Sequence, residues 1–268
     1  MLEKSSSIPA GRIPNVAAAI DLNSDVGESF GNWTLPDAQM LEVVSSANIA
    51  CGFHAGDPIT IRSTAATAAA NGVAIGAHIG YRDLAGFGRR FIDYDLNELS
   101  ADILYQLGAL EAMAQAAGSK ISYVKPHGAL YNTIVTHQDQ AKTVIDTIAE
   151  YNPKLPVLLL PGGYALEYAR SQGLRGVAEA FADRAYNPDG SLVSRREEGA
   201  VLHDTDQVVE NMLRLAQDGV LIARDGTRIE TEAESICTHG DTQGSFQMAQ
   251  AVREALTQAG IEIRSFAA

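Results

Sequence analysis

Residues 57–80, DPITIRSTAATAAANGVAIGAHIG, contain one complete unit of the fold, a helix followed by a strand. Asp57-Pro58 is typical of a helix start, because Asp caps free backbone N–H groups and Pro fits the first helical position. The pattern predicts a helix over Ile59–Asn71, an Asn-Gly stop, and a buried strand over Val73–Ala77. His78 follows that strand and lies between two nearby glycines.

The same alternation of helical and apolar strand segments continues along the chain. Strands are predicted over Ala17–Leu22, Ala47–Ala50, Val73–Ala77, Ile121–Val124, Pro156–Leu160, Gly176–Phe181 and Ser235–Thr238. Helices are predicted over Pro36–Ser46, Ile59–Asn71, Leu99–Ala117, Gln138–Tyr151, Tyr164–Gln172, Asp206–Asp218 and Ser245–Ala259. Seven strand–helix repeats indicate an α/β fold with a mostly parallel sheet.

Two segments interrupt this alternation, Tyr186–Val201 and Gly219–Thr231. Each contains an Asp-Gly turn, and we predict that both are hairpins beside the main repeat. No linker rich in Gly, Ser or Pro divides the chain. We therefore expect a single domain over residues 17–268, preceded by a polar N-terminal lead-in over residues 1–16.

Composition and charge exclude several classes of protein. The chain has 268 residues with 20 Lys and Arg against 33 Asp and Glu, which gives a formal net charge of −13. Nucleic acids and anionic membranes require basic patches, so the acidic balance argues against both as partners. Two cysteines are too few for a disulfide framework, and no apolar run reaches the length of a membrane span. We expect a cytoplasmic protein.

Four of the six histidines share one sequence context. His54, His78, His127 and His239 each follow an apolar strand segment and have glycine nearby. The loops after the strands form the functional face of parallel α/β folds, so we predict that these side chains converge there. His137 and His203 lack the context and are predicted to be surface residues.

The first strand contributes carboxylates. Asp21, Asn23 and Asp25 alternate along it and therefore share one face, and Glu28 follows after a glycine. A polar strand end with a helix cap would explain this pattern, but carboxylates near imidazoles are also suited to metal binding or to acid–base catalysis. The spacing alone does not choose between the last two roles.

Basic residues also follow strands. Arg89, Lys125 and Arg184 could bind an anionic substrate group, or they could form ion pairs with neighbouring carboxylates. Cys51 and Cys237 end strands and are predicted to be small buried apolar residues. The chain contains neither a P-loop motif nor a Gly-x-Gly-x-x-Gly motif after the first strand, so it has no recognisable nucleotide site of its own.

A set of collinear motifs resembles the LamB/YcsF family from about Ile20 to Gly260. The motifs are Asp21-Leu-Asn-Ser-Asp-Val-Gly-Glu28, Asn48-Ile-Ala-Cys-Gly-Phe-His-Ala-Gly-Asp57, Gly76-Ala-His78, Phe87-Gly-Arg-Arg90, Val124-Lys-Pro-His-Gly-Ala-Leu-Tyr-Asn132, Glu179-Ala-Phe-Ala-Asp-Arg-Ala-Tyr186 and His239-Gly-Asp241. One departure is that Ile79 and Arg82 stand where the family usually has prolines, which predicts a different loop shape after His78.

The resemblance implies a fold, a reaction and partners. The fold is a seven-stranded (β/α) barrel of the polysaccharide-deacetylase-like type, in agreement with the seven repeats counted above. The reaction is the ATP-dependent opening of the cyclic amide 5-oxo-L-proline to L-glutamate, the 5-oxoprolinase reaction. The family acts together with two other 5-oxoprolinase subunits, which would bind most of the ATP.

We assign roles to the matching positions as hypotheses. The predicted catalytic residues are Asp25, His54, His78, His127, Asp183 and His239. The predicted substrate-binding residues are Asn23, Asn48, Arg89, Lys125, Tyr131 and Arg184. A divalent metal of unknown identity could bind at Asp25, His54 and His78.

Two other functions remain open at this stage. A metal-dependent deacetylase or carbohydrate hydrolase would use the same barrel, but such enzymes typically have an Asp-Asp pair and a His-x-x-x-His pair, which this chain lacks. A non-catalytic regulatory subunit would use its histidine-bearing face to bind a partner. A small molecule or metal bound at that face would favour the 5-oxoprolinase or the deacetylase over the regulatory subunit.

Overall fold

A closed barrel of parallel strands forms the centre of the protein. The computed structural model describes residues 18–240 and 244–267, so the lead-in predicted for residues 1–16 lies outside the described part. The barrel strands are β1 (Ala19–Val26), β2 (Ser46–Ala50), β3 (Ala74–Ile79), β4 (Ile121–Pro126), β5 (Val157–Leu159), β6 (Gly176–Phe181) and β9 (Ser235–Cys237). They pair in this order, and β9 pairs with β1 to close the barrel. The predicted seven-stranded barrel is confirmed.

Three short strands lie outside this ring. The strands β7 (Val220–Ile222) and β8 (Arg228–Glu230) form an antiparallel hairpin, as predicted for Gly219–Thr231. The strand β10 (Glu262–Ile263) extends the sheet at the start of β1. The segment Tyr186–Val201 forms only part of the predicted hairpin. Tyr186 and Leu192 pair in an isolated antiparallel bridge around the Asp189-Gly190 turn, and the rest of the segment is a loop.

Helices surround the barrel and cover its outer surface. They are α1 (Pro58–Ala70), α2 (Leu96–Ala116), α3 (Gly128–Thr133), α4 (Gln138–Tyr151), α5 (Tyr164–Ser171), α6 (Thr205–Asp218) and α7 (Ser245–Gln258). Asp57, Asp95 and Asp204 cap the starts of α1, α2 and α6, each accepting hydrogen bonds from two backbone N–H groups. Within the described ranges, no helix is both long and apolar enough to cross a membrane.

One predicted helix is wrong and one helix was not predicted. The segment Pro36–Ser46 contains only a short 3₁₀ turn at Ala38–Glu42, and its last residue already belongs to β2. Its apolar spacing reflects burial of Met40 and Leu41 rather than a continuous helix. The helix α3 has only six residues, which is too short for a helical period to be visible in the sequence.

The side chains of β1 explain why the inside of the barrel is polar. Its buried residues alternate between apolar ones, which pack outward, and polar ones, which meet other strands inside the barrel. Asn23, for example, donates from Nδ2 to Glu179 of β6 at 2.9 Å and to Ser235 of β9 at 2.7 Å. Hydrogen bonds of this kind compensate for the loss of water around buried polar groups.

Candidate active site

A pocket of about 480 Å³ opens at the carboxyl ends of the barrel strands. Eight of the predicted site residues line it, namely Asp25, His78, Arg89, Lys125, His127, Tyr131, Arg184 and His239. His54 and Asp183 lie directly behind lining residues, because they contact His127 and His239. The four histidines, each of which follows a strand, therefore lie at one end of the barrel as predicted. Their assigned roles stay predictions.

Three imidazoles form a compact group that we call the histidine cluster, consisting of His54, His78 and His127. The rings of His54 and His127 stack with centroids 3.7 Å apart and planes 7° apart, and His78 meets both rings edge-on. All three side chains are buried. The close approach depends on Gly88, whose φ is +62° and where a Cβ atom would lie 2.6 Å from Cβ of His54 and 2.7 Å from Cδ2 of His127.

Backbone carbonyls orient two of these rings. Nδ1 of His78 is 3.1 Å from the carbonyl oxygen of Lys125, and Nε2 of His127 is 2.8 Å from that of Phe87. The remaining nitrogens, Nε2 of His78 and Nδ1 of His127, face each other at 3.0 Å. Burial lowers the pKa of His54 and His127 well below the ordinary value, and the neighbouring histidines lower it further.

Glu28 completes the histidine cluster, although the sequence-based site assignment did not include it. Its Oε1 atom is 3.1 Å from Nε2 of His54 and 3.6 Å from Nδ1 of His127. The carboxylate is buried, with 5% of its side chain exposed. Its position after the first strand had already placed it among the carboxylates of interest, but the spacing gave no reason to expect contact with these histidines.

Asp25 connects the cluster to the polar interior. Its Oδ2 atom is 3.3 Å from Nε2 of His78, and its Oδ1 atom accepts from Nζ of Lys125 at 3.1 Å. Burial opposes ionisation of Asp25, but His78 and Lys125 outweigh it and hold the pKa of the carboxyl well below its usual range. Asp25 is therefore an ionised group at the floor of the pocket.

Lys125 has little capacity left for a substrate anion. Besides Asp25, its ammonium group has Glu179 Oε1 at 2.8 Å, Asn23 Oδ1 at 3.3 Å and Cys237 Sγ at 3.2 Å. Four acceptors surround a group with only three N–H donors. Lys125 compensates the charges of Asp25 and Glu179, and its binding of substrate stays a prediction.

The amide side chains lie beneath the pocket rather than in it. Asn48 donates to Asn23 Oδ1 at 2.7 Å and to Asp25 Oδ1 at 2.8 Å, and it accepts from the hydroxyl of Tyr123. Both amides are fully buried. Their hydrogen bonds are made within the barrel, and the substrate contacts assigned to Asn23 and Asn48 stay predictions.

A second histidine group lies on the opposite wall of the pocket. Nδ1 of His239 is 2.8 Å from both carboxylate oxygens of Asp183, and Nε2 of His239 is 2.7 Å from Nη2 of Arg195. Since guanidinium only donates, Nε2 of His239 is an acceptor and Nδ1 carries the proton donated to Asp183. Burial opposes ionisation of Asp183, but His239 and Arg195 outweigh it and lower the pKa of the carboxyl.

The three predicted arginine and tyrosine ligands differ in their surroundings. Arg184 donates to the carbonyl oxygens of Ala200 and Val193, so it holds the Tyr186–Val201 loop rather than an anion. Arg89 is exposed at the pocket with its guanidinium over the Phe87 ring. Burial and nearby Glu179 raise the pKa of Tyr131 well above its usual range, so its hydroxyl stays protonated.

The two cysteines are both free, buried and part of the hydrophobic core, as predicted. Burial raises the pKa of Cys51 to about 12, which fits the role of a small core residue. Cys237 has a polar contact in addition, because its Sγ accepts from Nζ of Lys125.

Two groups of side chains within the described ranges have the composition and proximity of metal ligands. The first consists of Glu28, His54, His78 and His127, and the second of Asp25, Cys237 and His239. In each group, one potential ligand atom from every residue lies within 4.8 Å of the others. The predicted metal trio of Asp25, His54 and His78 stays a prediction; His54 and His78 share the first group, and Asp25 belongs to the second.

A parallel (β/α) barrel whose histidines and carboxylates converge at the carboxyl ends of the strands has the arrangement of a barrel enzyme. The sequence profile of the LamB/YcsF family matches residues 20–268. This chain belongs to the LamB/YcsF family.

Several relatives cover nearly the whole chain. A protein of Kocuria rhizophila, named as the A subunit of 5-oxoprolinase, is 59% identical over 92% of this chain and 99% of its own length. A protein of Mycobacterium avium with the same name is 57% identical over 93% of this chain and 99% of its own length.

Solved structures extend the similarity to the fold. The lactam utilization protein of Thermus thermophilus superposes with a TM-score of 0.88 at 42% identity, covering 92% of this chain and all of that one. A family 4 carbohydrate esterase of Streptomyces lividans has a TM-score of 0.50 at 14% identity over 93% and 92% of the two chains. The second likeness concerns the fold alone and agrees with the expected deacetylase-like type of barrel.

Proposed function

We propose that this protein is the subunit of an ATP-dependent 5-oxoprolinase that opens the lactam ring of 5-oxo-L-proline to give L-glutamate. The observation that carries the proposal is the pocket of about 480 Å³ with an imidazole–carboxylate pair on one wall and the histidine cluster on the other. The names of the relatives, which mention 5-oxoprolinase and lactam utilization, support the substrate class.

The chemistry explains why ATP is required. A five-membered lactam is a resonance-stabilised amide whose hydrolysis is unfavourable. Transfer of the γ-phosphoryl group to the lactam oxygen releases ADP and makes the ring carbon electrophilic. Water then adds to that carbon, the ring nitrogen leaves with a proton, and the resulting acyl phosphate is hydrolysed by a second water to glutamate and phosphate.

His239 has the geometry to carry the protons of this sequence. Asp183 accepts a hydrogen bond from Nδ1–H of His239, so Nε2 has a lone pair that faces the pocket. In our proposal Nε2 takes a proton from the attacking water and returns it to the leaving ring nitrogen, and Asp183 stabilises the imidazolium in between.

Basic side chains at the pocket mouth match the carboxylate of the substrate. Arg195 reaches Nε2 of His239 and lines the pocket together with Arg89 and Arg196. We assign the substrate carboxylate to Arg195, because binding it there would release Nε2 of His239 for the proton transfer. The histidine cluster on the opposite wall would then help to position the phosphorylated lactam for water addition.

The nucleotide is assigned to partner subunits. The chain has no P-loop motif, and its Gly162-Gly163 turn lacks the lysine and hydroxyl that such a loop uses on phosphates and Mg²⁺. We propose two partner subunits, which would dock over the pocket so that the activated lactam reaches it before water destroys it. The compartment proposed for this complex is the cytoplasm.

Glutamate release from 5-oxo-L-proline with ATP and Mg²⁺ tests the proposal. We expect no release by the purified chain alone, and ATP-dependent release after addition of the partner subunits of the same organism. ATP-dependent release by the chain alone would overturn the assignment of the nucleotide to partners. Failure of the complete set would overturn the 5-oxoprolinase function and favour the deacetylase or the regulatory subunit.

A further inference from the structure

We propose that the histidine cluster and the carboxylate beside it bind one divalent first-row transition-metal ion. The four ligand atoms are Nε2 of His54, Nε2 of His78, Nδ1 of His127 and Oε1 of Glu28. This site does not include Asp25, and it depends neither on the identity of the substrate nor on partner subunits.

The positions of the protons on His78 and His127 point to a cation between the two rings. A carbonyl oxygen only accepts, so Nδ1 of His78 must carry the proton donated to Lys125 and Nε2 of His127 the proton donated to Phe87. In neutral imidazoles, the other nitrogen of each ring then has a lone pair. These two lone pairs face each other at 3.0 Å, an arrangement that requires a positive charge between them.

The distances between ligand atoms match a metal site. Two atoms bound to one tetrahedral ion at about 2.0–2.1 Å lie roughly 3.3 Å apart. The observed separations are 3.0 Å between His78 and His127, 3.1 Å between His54 and Glu28, and 3.6 Å between His127 and Glu28. All four ligand positions lie within 4.8 Å of one another. Because the ring of His54 is stacked on that of His127, His54 has to turn out of the stack for its Nε2 lone pair to reach the common centre.

The surroundings of the ligands indicate the class of metal. Three imidazoles and one carboxylate form a nitrogen-rich donor set, which suits zinc and its first-row neighbours rather than Mg²⁺ or Ca²⁺. Metal-binding histidines usually donate their second N–H to a carbonyl or carboxylate, as His78 and His127 do. The ligands are buried, yet His78 and His127 border the pocket, which provides a path of entry.

A shared proton is the competing explanation for the facing lone pairs. It would make one of the two rings an imidazolium, which Asp25 would stabilise, because its Oδ2 atom is 3.3 Å from Nε2 of His78. It gives no reason for the convergence of His54 and Glu28 on the same point. We therefore favour a metal, and the experiment below separates the two.

Equilibrium metal binding to untagged, metal-depleted protein tests the site. We expect one equivalent of Zn²⁺ to bind, and Co²⁺ to give the visible absorption of a tetrahedral nitrogen and oxygen site. His127→Ala should weaken Zn²⁺ binding by about 10²-fold or more, since even groups that only support a ligand contribute about 10–100-fold. Glu28→Gln should weaken it as well, while His203→Ala, at an exposed position, serves as the control.

Circular dichroism and thermal melting show whether each variant is folded, and His54→Ala replaces His127→Ala if that variant is not. Binding of less than one equivalent, or binding that His127→Ala, His54→Ala and Glu28→Gln leave unchanged, would overturn the proposal and favour the shared proton. Because the measurement uses neither ATP nor 5-oxoproline, it is independent of the outcome of the glutamate assay.

Discussion

The two histidine groups on the walls of the pocket are built from the same residue types in opposite ways. In the histidine cluster, backbone carbonyls take the outer N–H of His78 and His127, and the lone pairs point inward. On the other wall a carboxylate, Asp183, takes the N–H of His239, and a cation, Arg195, lies against its lone pair.

The difference teaches what each histidine can do. In the cluster, backbone carbonyls fix the tautomers of His78 and His127, and the inward lone pairs lie next to the Glu28 carboxylate, so the cluster is suited to holding a cation. A carboxylate stabilises the imidazolium, so His239 is suited to taking up and returning a proton. The chemical nature of the group that orients each ring, a carbonyl or a carboxylate, therefore separates the two roles.

The largest expected effect comes from removing a ring of the cluster. His127→Ala should lower glutamate release by the reconstituted complex by about 10³-fold, because the wall against which the activated lactam is positioned loses a central member. Steady-state kinetics of glutamate release measure this, with circular dichroism as the test of folding. His203→Ala should keep wild-type turnover; a folded His127→Ala variant with near-normal turnover would reduce the cluster to a structural feature.

The second prediction changes the orienting group on the other wall. Asp183→Asn removes the charge that stabilises protonated His239, so kcat should fall by about 10²-fold with little change in KM for 5-oxoproline. Asp206→Asn, at the exposed start of α6, is the matched control. An unchanged kcat would show that His239 does not transfer a proton in the rate-limiting step.

A smaller effect is expected at the pocket mouth. Arg195→Ala should raise KM for 5-oxoproline about 10-fold, because a charged hydrogen bond to the substrate carboxylate contributes about 1.5–3 kcal/mol in favourable cases. The control is Arg228→Ala on the exposed strand β8. If KM for 5-oxoproline does not change, the substrate carboxylate is bound elsewhere, for which Arg89 is the next candidate.

The smallest effect concerns stability at the opposite end of the barrel, where Asp21 accepts from Ser45, Ser46 and Ser235. Burial raises the pKa of Asp21 to about 6, so the folded protein holds this proton to a higher pH than the unfolded chain. Protonation of Asp21 contributes at most about 3 kcal/mol to the free energy of unfolding. This contribution is present below pH 4 and is lost as the pH rises towards 6.

Denaturant unfolding of the wild type and Asp21→Asn across this pH range measures the effect. Because other carboxylates have the opposite dependence, the prediction concerns the difference between the two proteins. The wild type should lose stability relative to Asp21→Asn between pH 4 and 6, and no further above that. A constant difference would mean that Asp21 is ionised in the folded protein throughout.

The fold could be predicted from the sequence because strand ends are marked by local chemistry. Short apolar segments that alternate with helical segments identified all seven barrel strands, and four of the strands are followed by His with Gly nearby. One segment that was predicted wrongly is Pro36–Ser46, where buried apolar residues imitate a helical face without forming one. Burial and helical period are separate properties, and the sequence alone does not distinguish them over so short a segment.

The site could be predicted only in part. The four histidines were found because each follows a strand, which is a local feature. Arg195 was missed because it reaches His239 from a loop, Tyr186–Val201, whose path depends on contacts distant in sequence. For the same reason the sequence did not reveal that Lys125 and Asn23 face inward to other buried groups.

The central claim is that ring opening takes place in the pocket of this chain. Glutamate release by the reconstituted complex containing a His127→Ala/Asp183→Asn double variant tests it most directly, with assembly checked by gel filtration. We expect release below about 1% of the wild-type rate, close to the rate of the less active single variant, because the two walls act in the same turnover. Release at the wild-type rate by the assembled complex would contradict the account, since ring opening would then occur on another subunit.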